Sequence, residues 1–220
     1  MSDKTTDADH DDTALDPAAM LALVKHQQSG VSRRMARQIP WILLAWGIAW
    51  AVGYGMLWLI DGAKPAFSVP LPVAVSVIAV LFAAAIAVSI VIGTRAGRGI
   101  RSTPSAAFTG AVYGITGSAS FIAIYVLAIG LTVNGMAASL QPIFLTSGMG
   151  IVIGIMHLMA GAIWRAVPSV VMGALLLAVA VVAPFFGYPD HYLFFAVAGG
   201  AVFLGGALWV ALYARGGVSD

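Results

Sequence analysis

The sequence predicts an all-α membrane protein built as a bundle of six transmembrane helices. Hydrophobic residues make up 60% of the 220 positions and charged residues only 9%, which is more apolar surface than one soluble core of this size can bury. Apolar segments of about 20 residues, the length that crosses a bilayer as a helix, recur along the chain. They lie at 41–60, 71–93, 107–131, 143–164, 169–187 and 192–213. The alternating strands of about ten residues that build a membrane β-barrel do not fit these segments.

Basic residues predict the orientation of the bundle, because short loops rich in Lys and Arg stay in the cytoplasm. All of the Lys and Arg residues except Lys64 fall on one side of the six spans. An even number of spans then places both termini in the cytoplasm, and we expect a multi-pass protein of the cell (plasma) membrane. Contacts with anionic lipid headgroups or with a partner are expected from Arg33, Arg34, Arg37, Arg95, Arg98 and Arg101.

The residues before the first span divide into two parts. Residues 1–15 are acidic and polar, and we expect them to be disordered. At Asp16-Pro17 a helix start is predicted, because Asp caps helices and Pro fits their first position. Apolar residues then fall on one stripe of an amphipathic helix over 16–39, which is typical of a helix at a membrane surface. Ser29-Gly30 is a possible break, and docking onto a soluble partner is the alternative use. The spans occupy 40–214, and 215–220 form a cytoplasmic tail.

Two spans share an aromatic pattern. Trp46-Gly47 in the first span and Tyr113-Gly114 in the third are each followed by aromatic residues at four-residue steps, while the fifth span keeps only Met172-Gly173. Two-span units copied in tandem would give three successive helical hairpins. Chance similarity among Gly-rich apolar helices is the alternative.

Small residues spaced four apart predict close helix packing, because lipid gives helices no hydrophobic reward for associating and tight van der Waals contact must supply it. These pairs are Gly110 and Gly114, Gly150 and Gly154, Ala196 and Gly200, and Ala201 and Gly205. We interpret them mainly as packing faces within the chain. A homo-oligomer or a contact with another membrane subunit is the alternative.

Acidic residues are missing from the whole interval between Asp61 and Asp190, and the chain contains no cysteine. Buried carboxylates are the commonest proton and cation carriers in membranes, and catalytic or metal sites need acids, thiolates or paired histidines. We therefore expect no enzyme, no metal site and no cofactor. His191 beside Asp190 follows Pro189 in a turn, where a solvated loop is expected. The pI near 9.1 reflects membrane topology, so nucleic-acid binding is not indicated.

His157 is the only ionisable side chain well inside a span, tyrosines excepted. A proton-accepting site, a metal or haem ligand and a hydrogen-bonded packing histidine are the three interpretations, and the lack of a second in-span His favours packing. Small hydroxyl side chains in the spans are able to bond their own helix backbone. A candidate polar cavity groups His157, Tyr54, Tyr113, Ser118 and Ser120.

The first span and the segment before it carry a family resemblance. Its residues are Ala22 to Gln28, Val31, Arg33-Arg34, Trp46 to Trp50 and Gly53 to Gly55. In these residues, and in layout over most of the chain, the sequence resembles small six-span membrane proteins of high-GC Gram-positive bacteria. Those proteins are described as transporters or as ABC-transporter-associated membrane proteins. The resemblance implies transport as a class and supplies no functional residues.

Two functions from different classes follow. In the first, the protein is a transport-associated membrane subunit or accessory of an exporter, energised by a separate ATPase that docks on the basic cytoplasmic surface. In the second, it is a non-transporting membrane scaffold or sensor that binds another protein. The resemblance favours the first. Residues 96–105 offer only a short segment for coupling to an ATPase.

Overall fold

The residues that the structure describes are predominantly helical and include no β-strand. A computed structural model gives the backbone of residues 17–96 and 103–216 and the side chains of residues 38–95 and 103–212. Its helices are α1 (Pro17–Trp58), α2 (Leu71–Ala96), α3 (Pro104–Val133), α4 (Leu140–Trp164), α5 (Val167–Val182), α6 (Asp190–Phe194) and α7 (Gly200–Gly216). A 3-10 turn, Ala183–Phe186, follows α5, and a π-helical segment, Phe195–Gly199, joins α6 to α7.

Six helical segments in the described part are long and apolar enough to cross a membrane, which confirms the predicted six-span all-α class. They are Gln38–Trp58, Leu71–Arg95, Pro104–Val133, Leu140–Trp164, Val167–Phe186 and Asp190–Leu212. The ends of these segments lie close to the predicted ends, because residues near each end, such as helix caps and prolines, determine where a helix begins or stops. At α3, for example, Thr103 accepts a hydrogen bond from the backbone N–H of Ala106, and Pro104 takes the first position, where no N–H is needed.

The first helix extends well beyond the first span. It runs for 42 residues without the possible break at Ser29-Gly30, and Pro40 lies inside it. At 1.5 Å per residue its length is about 63 Å. The segment expected as a separate interfacial helix is therefore continuous in its backbone with the first span. The side chains of residues 17–37, including Arg33, Arg34 and Arg37, lie outside the described residues, as do residues 1–16, 97–102 and 217–220, with Arg98 and Arg101.

Two of the three predicted hairpins are packed pairs in the structure, α1 with α2 and α3 with α4, whereas α5 packs mainly on α4 rather than on span six. α1 packs against both α2 and α7, while the most extensive contact in the bundle joins α4 to α5. α2 has α1 as its main neighbour, and α3 has α4. These two helices are consecutive in the chain and yet make no extensive contact with each other. They form two outer helices with a gap between them.

Glycine allows α4 and α5 to approach closely. A side chain on Gly173 of α5 would meet the backbone of Leu158 and Gly154 on α4, so the two helices touch along their backbones, as small-residue faces permit in membranes. Only Arg165 and Ala166 separate the two helices. Arg165 has a φ of 52°, the left-handed conformation that ends many helices.

The small-residue pairs divide between packed and open faces. A side chain on Gly150 would meet Ala180 and Phe195, and one on Gly200 would meet Ala51 of α1. These positions pack within the chain, as expected. A side chain would meet nothing within 4 Å at Gly110, Gly114 and Gly205.

The bundle has two ends. The end that we term the basic end carries Gln38, Arg95, Pro104, the turn at Arg165 and Leu212. The other, termed the Asp61 end, carries Trp58, the loop after it, the ends of α3 and α4 near Val133 and Leu140, and Asp190. The half of the bundle next to each end is named after that end.

An aromatic core fills the Asp61 half. Trp50 is 1% exposed and packs against Tyr54, Phe195 and Phe203, with ring centroids 5.1–5.7 Å apart. Aromatic pairs at such distances attract one another beyond the area that they bury. A side chain on Gly199, in the π-helical segment, would overlap the Trp50 ring. The missing side chain at this position is what lets Trp50 lie against span six.

Candidate functional site: a cavity between two spans

A cavity of about 930 Å³ lies between α2 and α3 in the basic half. Its walls also include residues of α1, α4 and α7, and its volume is within the range of small-molecule pockets. Aliphatic and aromatic side chains form most of the surface. The polar groups on the walls belong to Gln38, Trp46, Ser89, Tyr113, His157 and Trp164.

Helical spacing explains which side chains reach the cavity. On α1 the wall residues Gln38, Ile42 and Trp46 follow one another at four-residue steps, which places them on one face. On α4, the wall residues Met156, Ala160 and Trp164 have the same four-residue spacing. Each helix thus contributes one stripe of its surface, and the cavity is bounded by stripes rather than by loops.

His157 lies on the α4 wall. Its Nδ1 is 2.9 Å from the carbonyl oxygen of Ile153, one turn earlier in the helix. A carbonyl oxygen can only accept, so in the neutral ring Nδ1 carries the proton and Nε2 presents a lone pair. The ring packs edge-on against Phe203, with centroids 5.9 Å apart. Among the described residues no hydrogen-bond partner faces Nε2.

Tyr113 fastens α3 to α4 at the cavity wall. Its hydroxyl donates to the carbonyl oxygen of Met156 at 2.9 Å, and its ring packs edge-on against Trp164, with centroids 5.1 Å apart. The neighbouring α3 residue on the wall is Gly117, which lies against Met156. The third and fourth spans are thereby held together on one side of the cavity.

Trp46 and Ser89 fasten α1 to α2 on the other side. The indole N–H of Trp46 donates to Ser89 Oγ at 3.1 Å, and the Ser89 hydroxyl donates to the carbonyl oxygen of Ala85 at 2.8 Å. Both donors are therefore used inside the protein. The wall that they form presents mainly ring and aliphatic carbon to the cavity.

Of the five residues grouped in the predicted polar cavity, the structure brings two together, His157 and Tyr113. Tyr54 instead lies two turns beyond Trp46 on α1, buried in the aromatic core. Ser118 and Ser120 sit on either side of the wall stripe of α3 and donate to carbonyl oxygens of their own helix, as small hydroxyl side chains in membrane helices commonly do.

Several wall residues escape sequence reasoning. Gln38 and Trp164 stand at the ends of spans, where they resemble ordinary interfacial residues. Phe121 resembles any lipid-facing aromatic side chain. One signal was available: the paired pattern Trp46-Gly47 and Tyr113-Gly114 contributes an aromatic side chain from each of two spans to this one cavity.

A polar network closes the Asp61 end. Lys64 Nζ lies 2.6 Å from one carboxylate oxygen of Asp61, and the hydroxyl of Tyr188 donates to the other. Trp58 donates to Asp190 at 3.0 Å. The loop after the first span is thereby tied to the start of the sixth.

The same contacts shift the pKa values of two groups outside the spans. The hydrogen bonds from Lys64 and Tyr188 stabilise the charged form of Asp61 and lower its pKa. Partial burial, together with the hydrogen bond to the negative carboxylate, raises the pKa of Tyr188 to about 12. Both shifts favour the hydrogen-bonded pair at neutral pH.

The prediction of a solvated loop at His191 is wrong. His191 is 0% exposed, because α6 begins at Asp190 and turns the next residue into the bundle. Its Nδ1 lies 3.2 Å from the carbonyl oxygen of Gly187, and its ring packs on Tyr192 with centroids 4.0 Å apart. Its Nε2 has no partner among the described residues, as is also true of Trp50 Nε1 and Ser147 Oγ.

The cavity walls are electrically neutral apart from any charge on His157. No Asp, Glu, Lys or Arg is among the wall residues that the structure describes, and the sequence holds no carboxylate between Asp61 and Asp190. Within the described residues, no group of three or more His, Cys, Asp or Glu side chains is placed to hold a metal ion. The site is therefore suited to binding through shape, apolar contact and a few hydrogen bonds.

Comparison with protein-family models, with curated proteins and with solved structures finds no match for this chain. Fold and cavity define its class: it is a multi-pass helical membrane protein with an apolar cavity between two of its spans.

Proposed function

We propose that this protein is a transport-associated membrane subunit that takes a lipophilic molecule from the bilayer into the cavity between α2 and α3, for an exporter energised by a separate ATPase. The cavity is the observation that carries the proposal. It lies within the apolar spans, and the two helices that flank it make no extensive contact with each other. A molecule dissolved in the lipid reaches such a cavity sideways, without passing through water.

The walls favour a lipophilic ligand over an ion or a sugar. Leaving water costs a charged or strongly hydrated solute several kcal/mol or more unless the site replaces the lost interactions. The described wall offers one histidine and a few hydrogen-bonding groups amid apolar side chains. An apolar ligand pays no desolvation cost on moving from lipid to these walls, and close contact with Trp46, Phe121 and Phe203 offsets its lost freedom of motion and its lost contacts with lipid.

The orientation in the proposal follows from charge. Lys and Arg concentrate at the basic end, and positively charged short loops remain in the cytoplasm. The cavity then lies in the cytoplasmic half of the plasma membrane, and both termini are cytoplasmic. A ligand would be collected from the cytoplasmic leaflet, while the aromatic core separates it from the outer side.

Energy for export is assigned to a partner. The spans lack the carboxylates that commonly couple transport to proton or sodium gradients. A separate ATPase bound at the basic cytoplasmic end would supply the work, in agreement with the resemblance to ABC-transporter-associated proteins. Anionic lipids are the expected neighbours of Arg95 and the other arginines at that end.

One observation favours a second candidate, a membrane sensor. The helix that carries Gln38, Ile42 and Trp46 on the cavity wall continues unbroken to Pro17, about 30 Å beyond the first span at 1.5 Å per residue. A ligand that displaces this wall would also displace the extension. A cytoplasmic partner bound to the extension would then respond to whether the cavity holds a ligand.

Two glycines of α3 provide a matched test. Gly117 faces the cavity, whereas a side chain on Gly114 would meet nothing within 4 Å. The variants Gly117→Phe and Gly114→Phe add the same ring to the same helix. Each is extracted in mild detergent from the native host with a tag, beside the wild type, and the bound lipophiles, co-purifying chains and ATP hydrolysis are measured.

The proposal predicts that an ATPase co-purifies with all three proteins. Lipophile should be retained, and should stimulate ATP hydrolysis, in the wild type and in G114F but not in G117F. Retention with a kinase or regulator in place of an ATPase would support the sensor instead. Equal retention by G117F and G114F would refute the cavity as the binding site.

A further inference from the structure

We propose that the cavity selects uncharged lipophilic molecules that carry a hydrogen-bond donor, either a hydroxyl or an amide N–H, and that His157 Nε2 accepts that hydrogen bond. This inference rests on the proposed function and names the ligand class of the same site. It assigns His157 a role in binding, in place of the proton relay, metal ligand or packing role open from the sequence.

The tautomer of His157 is the first step. Because Nδ1 donates to the carbonyl oxygen of Ile153, the neutral ring has its lone pair on Nε2. The ring belongs to the cavity wall, and it packs in a T-shaped arrangement with the Phe203 ring, which offers no hydrogen-bond donor. The described residues leave Nε2 as an acceptor without a donor.

The second step is the state of the other polar groups on the walls. The donors of Trp46, Ser89 and Tyr113 are all committed to acceptors inside the protein. Acceptors are left over: besides Nε2, the amide oxygen of Gln38 is buried without a partner among the described residues. Apart from the amide N–H groups of Gln38 and the indole N–H of Trp164, both at the ends of spans, the wall combines spare acceptors with committed donors, which is complementary to a ligand that donates.

Charge is the third step. A cationic ligand would find no carboxylate on the described walls, and an anionic one would find neither a basic side chain nor a free donor deep in the cavity. The donors that remain, the indole N–H of Trp164 and the amide N–H groups of Gln38, lie at the ends of spans. Burying an unpaired charge is far costlier than burying a hydroxyl that forms its hydrogen bond, so a neutral donor is the preferred head group.

Competition between matched probes tests this inference. The purified full-length protein in detergent is mixed with equimolar stearyl alcohol and stearyl methyl ether, of which only the alcohol carries a donor and the ether carries one additional methyl group, and native mass spectrometry measures the ratio of the two adducts. One hydrogen bond contributes roughly a threefold to tenfold preference. We expect the alcohol to be favoured by that factor in the wild type.

Variants locate the acceptor. His157→Phe keeps a ring against Phe203 without an acceptor, and His157→Leu removes the ring; each should remove the preference for the alcohol. His157→Gln returns an acceptor oxygen and should recover part of the preference. Ser118→Ala is the control, because the Ser118 hydroxyl donates to the carbonyl oxygen of Gly114 on its own helix and the residue lies off the cavity wall, and the ratio should stay at its wild-type value. Since both probes compete in one sample, partial unfolding lowers both adducts and leaves the ratio intact.

The outcomes separate this inference from the proposed function. If alcohol and ether bind equally to the wild type, at levels that Gly117→Phe abolishes, the lipophile cavity stands and the donor selectivity is refuted. A preference that survives in both H157F and H157L also refutes it. If neither probe binds above the level seen with Gly117→Phe, the lipophile cavity itself is refuted.

Discussion

The two halves of this bundle place the same kind of aromatic side chain in different surroundings, a packed core in one half and a cavity wall in the other. Trp46 and Trp50 are one turn apart on α1, yet Trp50 is wholly buried in the aromatic core and Trp46 borders a cavity. Both lie against Phe203. In the Asp61 half, Gly199 and Gly200 let span six press against α1. In the basic half, α2 and α3 make no extensive contact with each other, and the space between them is unfilled.

This contrast shows that the placement of helices decides where a cavity forms. Aromatic content is similar along α1, so composition alone would fill both halves equally. The neighbours differ: α2 is held by α1 and α3 by α4, and Trp46–Ser89 and Tyr113–Met156 fix each outer helix to its own partner. The cavity is therefore held between two separately fastened pairs.

The largest difference between the halves should appear in chemical labelling. Because the chain has no native cysteine, Ala160→Cys on the cavity wall and Ala180→Cys in the core each give a single thiol. We expect the second to react with N-ethylmaleimide at least about a hundredfold more slowly, since it requires a local opening of roughly 3 kcal/mol. Comparable rates in native membranes would show that the packed half opens readily.

Removing the two tryptophans should separate the halves energetically. Trp50→Ala empties a filled core and is expected to lower the free energy of unfolding by about 3 kcal/mol, the lower end for such truncations because lipid adds no hydrophobic term. Trp46→Ala loses one hydrogen bond and fewer contacts, so its cost should be smaller. Unfolding by steric trapping in a bilayer measures both, and equal losses would contradict the contrast.

Adding a side chain at a packed glycine of span six should lower the stability by less than removing Trp50 does. Gly199→Leu forces a side chain into the Trp50 ring, whereas Gly205→Leu, in the same span, meets nothing within 4 Å. Overpacking typically costs about 1–3 kcal/mol, which we expect for the first variant alone. Thermal unfolding of both variants in detergent is the measurement. A stable G199L would mean that span six can shift away from α1.

The smallest effect is expected at the closed end. Tyr188→Phe removes the hydrogen bond to Asp61, and the stability difference from the wild type should depend on pH. The lowered pKa of Asp61 gives a contribution present above its usual value of 3.8 and lost as pH falls through the folded value. The raised pKa of Tyr188 gives one present below its usual value of 10.0 and lost as pH rises through about 12. A difference that does not change across these limits would exclude this pair as its source.

Span positions were predictable because bilayer thickness and backbone hydrogen bonding leave one solution for apolar segments of this length. Neighbour relations were not, since similar Gly-rich faces on several spans can pair in several ways. The close meeting of Gly154 with Gly173 is visible only in three dimensions. The continuity of α1 was also missed, because residues 16–39 were expected to form an interfacial helix distinct from the first span, with a possible break at Ser29-Gly30.

Only those residues of the candidate site that are polar and lie well inside a span could be predicted from the sequence. His157 and Tyr113 stood out because polar groups are rare within these spans. Gln38 and Trp164 did not, since span ends commonly carry such residues. His191 was misjudged because its position after Pro189 suggested a loop, whereas burial depends on where the following helix turns.

The two-residue connection between α4 and α5 has a consequence for how the protein is made. A connection of two residues, Arg165 and Ala166, is too short for one apolar helix to lie in the bilayer while the other is still in water. The backbone contact of Gly154 with Gly173 forms as soon as both helices exist. We therefore expect these two spans to enter the lipid together as one hairpin during synthesis, and lengthening the turn should allow them to insert separately.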